Sequence, residues 1–153
     1  MMKTRVLIST ILLLSSMVFA SVASAKVTVT ALADSDAAEP ASAGSFLVDL
    51  ESVRPFNAIV EYQVIVADVP EGPAGPAPVA TEGTDYQTLS GTLEIVAGQL
   101  NAVIPVTVID DFLVEGNESV TIQLTSAQLV QNGNGNNIDF DPTPAFISIA
   151  DDD

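Results

Sequence analysis

The chain lacks cysteine, histidine and tryptophan, and aromatic residues make up only 5% of its 153 positions. Without cysteine there is no thiol nucleophile, no thiolate zinc site, no disulfide and no attachment point for a bacterial lipid anchor. Without histidine, the usual general base near neutral pH and the commonest metal-binding imidazole are gone. Cations are scarce too: four Lys and Arg stand against 20 Asp and Glu, a formal net charge of −16. A surface so charged repels nucleic acid phosphates and anionic lipid, which argues against both as partners. The chemistry that remains is carboxylate oxygen, which hard cations prefer. The length suits one modest domain rather than two.

The first 25 residues read as an address. Lys3 and Arg5 form a basic start, an apolar run follows from Val6 to about Ala20, and Ala23-Ser24-Ala25 fits a small-x-small cleavage site. The apolar run is short for a membrane anchor, so export with cleavage before Lys26 is expected, to the periplasm or the exterior. Removal of residues 1–25 takes away two of the four cations and no acid. The mature domain, 26–153, then has two cations against 20 acids, a formal charge of −18. With no disulfide available, its core or bound ions must stabilise it.

Seven segments alternate in the manner of strands, and nothing sustains a helical period. They run Val27–Ala31, Ser45–Leu50, Ala58–Val66, Gly91–Val96, Ala102–Ile109, Ser119–Leu124 and Ala145–Ala150. In the third, Val60, Tyr62, Val64 and Val66 share a face; in the fifth, Ile104, Val106 and Val108; in the sixth, Val120, Ile122 and Leu124; in the seventh, Ile147 and Ile149. This predicts an all-β fold, a seven-strand antiparallel immunoglobulin-like sandwich following the signal peptide.

Between strands, Asp68–Glu82 contains Pro70, Pro73, Pro76 and Pro78 and reads as a long extended loop. Gln131–Asn137 is an Asn/Gly run expected to be a flexible loop tip. Its continuation to Asp141 resembles the Gly/Asp calcium repeats of secreted toxins, but one unrepeated copy has nothing to stack on and reads as plain loop. Asn117-Glu118-Ser119 matches a glycosylation acceptor pattern.

The acids gather where strands end. Asp110 continues the inward row of Val106 and Val108, and Asp151 continues that of Ile147 and Ile149. Asp111 follows the first, and Asp152 and Asp153 follow the second. Carboxylates at the end of a core repel one another and are costly unless cations lie between them. Two readings stay open on this pattern: a calcium site built from acidic loops, or solvated strand-end acids that serve solubility.

The order of motifs resembles a known family. The chain reads Gly83-Thr84-Asp85-Tyr86, Ser90-Gly91-Thr92-Leu93-Glu94-Ile95 and Ala97-Gly98-Gln99. Then come Ile104 through Asp111, Glu115-Gly116-Asn117-Glu118, Thr121-Ile122-Gln123-Leu124, and Ile147-Ser148-Ile149-Ala150-Asp151-Asp152-Asp153. This is similar to a Calx-beta domain, the module found in the regulatory loop of sodium–calcium exchangers, in integrin β4 and in bacterial surface proteins. The resemblance implies a seven-strand immunoglobulin-like sandwich with calcium in loops at one end. By that resemblance Asp85, Asp110, Asp111, Glu115, Glu118, Asp151, Asp152 and Asp153 correspond to ligands, and Glu39 to the family's early ligand glutamate. Nine carboxylates exceed the charge of one ion, which implies two or more. Phe112 stands where the family often carries a third Asp, and Gly116 where it often carries another acid.

The expected function is therefore an exported calcium-binding module, structural or adhesive, whose partners are calcium ions and another extracellular protein. No nucleic acid partner and no membrane span after cleavage are expected. The alternative is a metal-free interaction module with the Pro-rich loop as its contact. An enzyme is not expected: a glycosidase would need stacking aromatics along with its carboxylate pair, and a serine nucleophile here has no histidine to activate it.

Overall fold

The computed structural model describes residues 26–32, 37–39, 42–66 and 78–152. Residues 1–25, where a signal peptide is expected, Asp153 and most of the Pro-rich stretch lie outside the described residues. Among the described residues ten strands appear in chain order: β1 (Lys26–Ala31), β2 (Ala37–Ala38), β3 (Gly44–Leu50), β4 (Asn57–Val64), β5 (Thr92–Ile95), β6 (Asn101–Val106), β7 (Glu118–Gln131), β8 (Asn134–Asn137), β9 (Asp139–Phe140) and β10 (Ala145–Ala150). All seven expected strands are among them, and β2, β8 and β9 are short additions. One sheet has the order β6-β3-β1-β9, and the other β2-β10-β7-β4-β5 with β8 also on β7. Pairing is antiparallel except for the two-residue contacts of β9 with β1 and β2 with β10. Among the described residues no helix is long and apolar enough to cross a membrane.

The strands form because alternate residues are apolar, and the apolar faces meet between the sheets. Val27, Phe46, Val48, Ile104 and Val106 come from one sheet; Val60, Ile95, Val120, Ile122 and Ile147 come from the other, and all are buried. The inward rows expected in the fifth, sixth and seventh strands are all buried. The third behaves differently. β4 ends at Val64, and Val66 is 86% exposed. The Ile65 N–H still donates to Thr121 O, but at Ser119 the edge of β7 is taken by Val79. Ser119 N–H donates to Pro78 O and Ala80 N–H to Ser119 O, so the returning chain displaces β4 from β7.

β7 outlasts the expected strand by seven residues. Glu61 faces Ser126 while Tyr62 faces Leu124, so Thr125 is an extra residue, a β-bulge. The bulge shifts the inward phase from Val120, Ile122 and Leu124 to Ala127. The Asn/Gly run is likewise structured: β7 and β8 form a hairpin whose turn is Asn132-Gly133. Both turn residues have positive φ, 50° and 80°, the requirement of a type I′ turn that matches strand twist.

Candidate metal centre

β3 starts, β4 and β6 end, β7 starts and β10 ends at one end of the sandwich, and the acids collect there. Short backbone links set each one. Glu39, just past β2, donates its N–H to Ala150 O at 3.0 Å, which lays it beside the end of β10. Asp85 sits in a tight turn where its own N–H donates to Thr81 O at 2.9 Å and its carboxylate accepts the Thr81 N–H. Tyr86, almost fully buried, anchors that turn in the core and bridges to Val108. Ile109 N–H donates to Asp85 O at 2.9 Å, so the turn and the approach to Asp110 are held together.

The connection from β6 to β7 carries Asp110, Asp111 and Glu115. Asp111 Oδ1 accepts the Leu113 N–H at 2.7 Å, closing a local turn. Asp151 Oδ2 accepts two N–H groups from across the site, Glu115 and Gly116, each at 2.9 Å. Gly116 has φ of 80°, a conformation most side chains resist, and it is this backbone turn that presents its N–H to Asp151. Glu118 opens β7 opposite Ile149.

The result is two groups of three carboxylates. Glu39, Asp110 and Asp152 each bring an oxygen within 4.8 Å of the others, and so do Asp85, Glu115 and Glu118. Asp85 is buried, Glu39 and Glu118 are half-buried and the other three are exposed. Asp111 and Asp151 act on both groups. Burial and then the charges of Asp111, Asp151, Asp110 and Asp152 push the Glu39 carboxyl up. Burial and then Asp85, Asp111 and Asp151 push Glu115 up. Glu118 is pushed up to about 7, first by burial, then by its hydrogen bond with Asp85 and by the charges of Asp85, Glu115 and Glu39. Among the described residues no cation answers this crowding: Lys26 and Arg54 lie at the opposite end, Lys26 paired with Asp141 at 2.8 Å and Arg54 in the loop before β4.

A sandwich with acids gathered on its loops at one end invites comparison with known domains. Residues 78–153 match the sequence model of the Calx-beta domain. The matched part of the chain belongs to the Calx-beta family. The crystal structure of the apo-form Calx CBD1 domain is similar with a TM-score of 0.55 at 20% identity, covering 84% of this chain and 99% of that one. The calcium binding domain CBD12 of CALX1.1 gives 0.53 at 20% identity, with 84% of this chain and 45% of that one covered. The Calx CBD2 domain gives 0.52 at 13% identity, over 81% of this chain and 86% of that one. At these identities the likeness establishes the shared fold. No curated protein sequence matches the chain.

These carboxylates suit a hard cation. Every donor is oxygen. Two oxygens on opposite sides of a calcium ion at 2.3–2.6 Å stand about 5 Å apart, which the 4.8 Å spread of each group allows. Glu39 Oε2 is shielded from solvent and has no hydrogen-bond partner, an arrangement that is costly for a carboxylate without an ion. Of the nine residues singled out in the sequence, six fall into the two groups and Asp111 and Asp151 flank them. Asp153 lies outside the described residues. Sequence reasoning did not anticipate the division into two groups or the backbone donors of Thr81, Glu115 and Gly116, because both depend on how the turns fold back.

Proposed function

We propose that this Calx-beta domain is an exported calcium-binding module that holds two or more calcium ions at one end of its sandwich. The observation that carries the reading is the pair of carboxylate groups, Glu39/Asp110/Asp152 and Asp85/Glu115/Glu118, with the charges of Asp111 and Asp151 acting on both and no cation beside them among the described residues. The printed description of CBD12 of CALX1.1 as calcium binding supports the same assignment. Ligation would tie the end of β2, the Asp85 turn, the β6–β7 connection and the end of β10 to one another. These are separate stretches of chain, so the ions stiffen one end of the domain, a structural or adhesive role rather than a catalytic one. Sites of about 10⁻⁴–10⁻³ M serve at extracellular calcium levels.

Calorimetric titration of the metal-stripped chain from Lys26, which contains every described strand, tests the assignment. At least two equivalents of calcium are expected to bind. The double variant Asp110→Asn with Asp111→Asn is expected to lose one site and weaken the other. No calcium uptake would leave a metal-free interaction module.

A further inference from the structure

The end of the sandwich remote from the two carboxylate groups has a charge imbalance of its own, centred on Lys26. Lys26 opens β1, which lies between β3 and β9 in its sheet. On the β3 side its O accepts the Glu51 N–H at 3.3 Å, and its own N–H donates to the Glu51 carboxylate, Oε2, at 3.1 Å. On the β9 side its Nζ pairs with Asp141 Oδ2 at 2.8 Å. Asp141 is itself fixed: its N–H donates to Val27 O at 2.7 Å, and its Oδ1 accepts from the backbone and hydroxyl of Thr143. Asp139 stands opposite Lys26 in the parallel contact of β9 with β1. The hydrogen bond to Asp141, and then the charges of Asp141, Glu51 and Asp139, hold the Lys26 ammonium proton above the ordinary lysine range, against desolvation. One positive charge therefore answers three negative ones around the first residue of β1.

We infer that cleavage before Lys26 supplies a second positive charge at this point, an α-ammonium that pairs with Glu51 and locks β1 to the end of β3. The inference rests on the export reading proposed above. Hydrolysis by a leader peptidase breaks the C–N bond between Ala25 and Lys26. The oxygen of water goes to the Ala25 carbonyl carbon, which leaves as a carboxylate. Both hydrogens of water go to the Lys26 nitrogen, which already carries one, and it becomes an ammonium. That nitrogen lies at hydrogen-bond distance from Glu51 Oε2, so a neutral donor is replaced by a charge-assisted one without movement of the strand. Lys26 then holds β1 on both sides, to Glu51 by its α-ammonium and to Asp141 by its Nζ. In the unfolded chain an α-amino group titrates near 8 (roughly 7.7–8.0). Glu51, helped by Asp139 and Asp141 and opposed by Nζ of the same residue, raises it in the folded chain. The stabilisation is therefore complete below about pH 8 and lost as pH rises through the raised folded value.

Two chains test this, one beginning at Lys26 and one at Ser24, each released from a fusion by a protease that leaves no extra residue. In the second chain the ammonium is displaced by two residues, while every side chain is shared, so side-chain titrations cancel in the difference. At pH 7 the chain from Lys26 is expected to melt about 1–4 °C higher, and the difference to vanish by about pH 10. Glu51→Gln keeps an acceptor for the nitrogen and removes the charge, and it is expected to bring the two chains to the same melting temperature. In parallel the full 153-residue chain is exported from a bacterial host, and N-terminal sequencing of the product is expected to begin at Lys26. Retention of residues 1–25, or a different first residue, would overturn the cleavage on which the inference rests. Lys26 as first residue with equal melting of the two chains would overturn the ion pair and leave the export reading standing. A difference that survives at pH 10, or in Glu51→Gln, would overturn the ion pair in favour of crowding by the added residues.

Discussion

Glu118 stands at the mouth of β7 with its carboxyl pushed up to about 7, and this fixes a pH dependence. In the unfolded chain the same group titrates near 4.5, so between about 4.5 and 7 the folded chain holds a proton that the unfolded chain has released. Stability from this source is complete below the lower value and is lost as pH rises through the upper one. Glu39 and Glu115 shift in the same direction. Asp141, drawn down mainly by Lys26, acts only below the ordinary carboxylate range and leaves that window untouched. The melting temperature of the metal-stripped protein is therefore expected to fall from pH 5 to pH 8, and saturating calcium, which favours ionised ligands, to abolish the fall. Asp85 is the sharper probe. Asp85→Asn keeps an acceptor for the Thr81 N–H but removes the charge against Glu118 and Glu115. The variant is expected to melt higher than wild type at pH 8 without metal and to bind calcium at least about tenfold more weakly, that is by about 1.4 kcal/mol. Melting curves and titration calorimetry on the same sample check both.

β7 shows what a strand pattern reveals and what it hides. Its first half alternates cleanly, Val120, Ile122 and Leu124, and is legible in the sequence. Its second half is not, because the bulge at Thr125 breaks the period of two, and Ala127 three residues after Leu124 no longer looks like the same face. The Asn/Gly run after it was misleading for a different reason: low hydrophobicity suggests a mobile tip, whereas Asn132-Gly133 is the strongest short signal for a hairpin turn. β8 is polar because both its faces are exposed, so hydrophobicity carries no trace of it. Val66 failed as an inward residue because backbone competition from Val79 at Ser119, not its own side chain, ends the run. The turn makes a direct prediction. Gly133 has φ of 80° and open space around its missing Cβ, so Gly133→Ala is a test of backbone strain alone. It is expected to cost about 1 kcal/mol by chemical denaturation, without any change in calcium affinity, since the hairpin lies at the end remote from the acids.

Across the described residues, the two cations, Lys26 and Arg54, sit at one end and the crowded carboxylates at the other. The inward rows of two strands run into Asp110 and Asp151, so the location of the acidic end was readable from strand phase. Which carboxylates meet was not readable, because Glu39 reaches Asp110 and Asp152 only through the pairing of β2 with β10, a contact of two residues on each side. An end with this much unbalanced charge is a weak point without ions and a strong one with them. The measurement that bears most directly on this is the melting temperature of the chain from Lys26, in chelator and then in millimolar calcium, with magnesium as control. Millimolar calcium, about one to ten times a dissociation constant of 10⁻³–10⁻⁴ M, adds about 0.4–1.4 kcal/mol per independent site. A calcium-specific rise on the order of 5 °C or more is predicted. An equal rise with magnesium, or none with either ion, would contradict a calcium site at the acidic end.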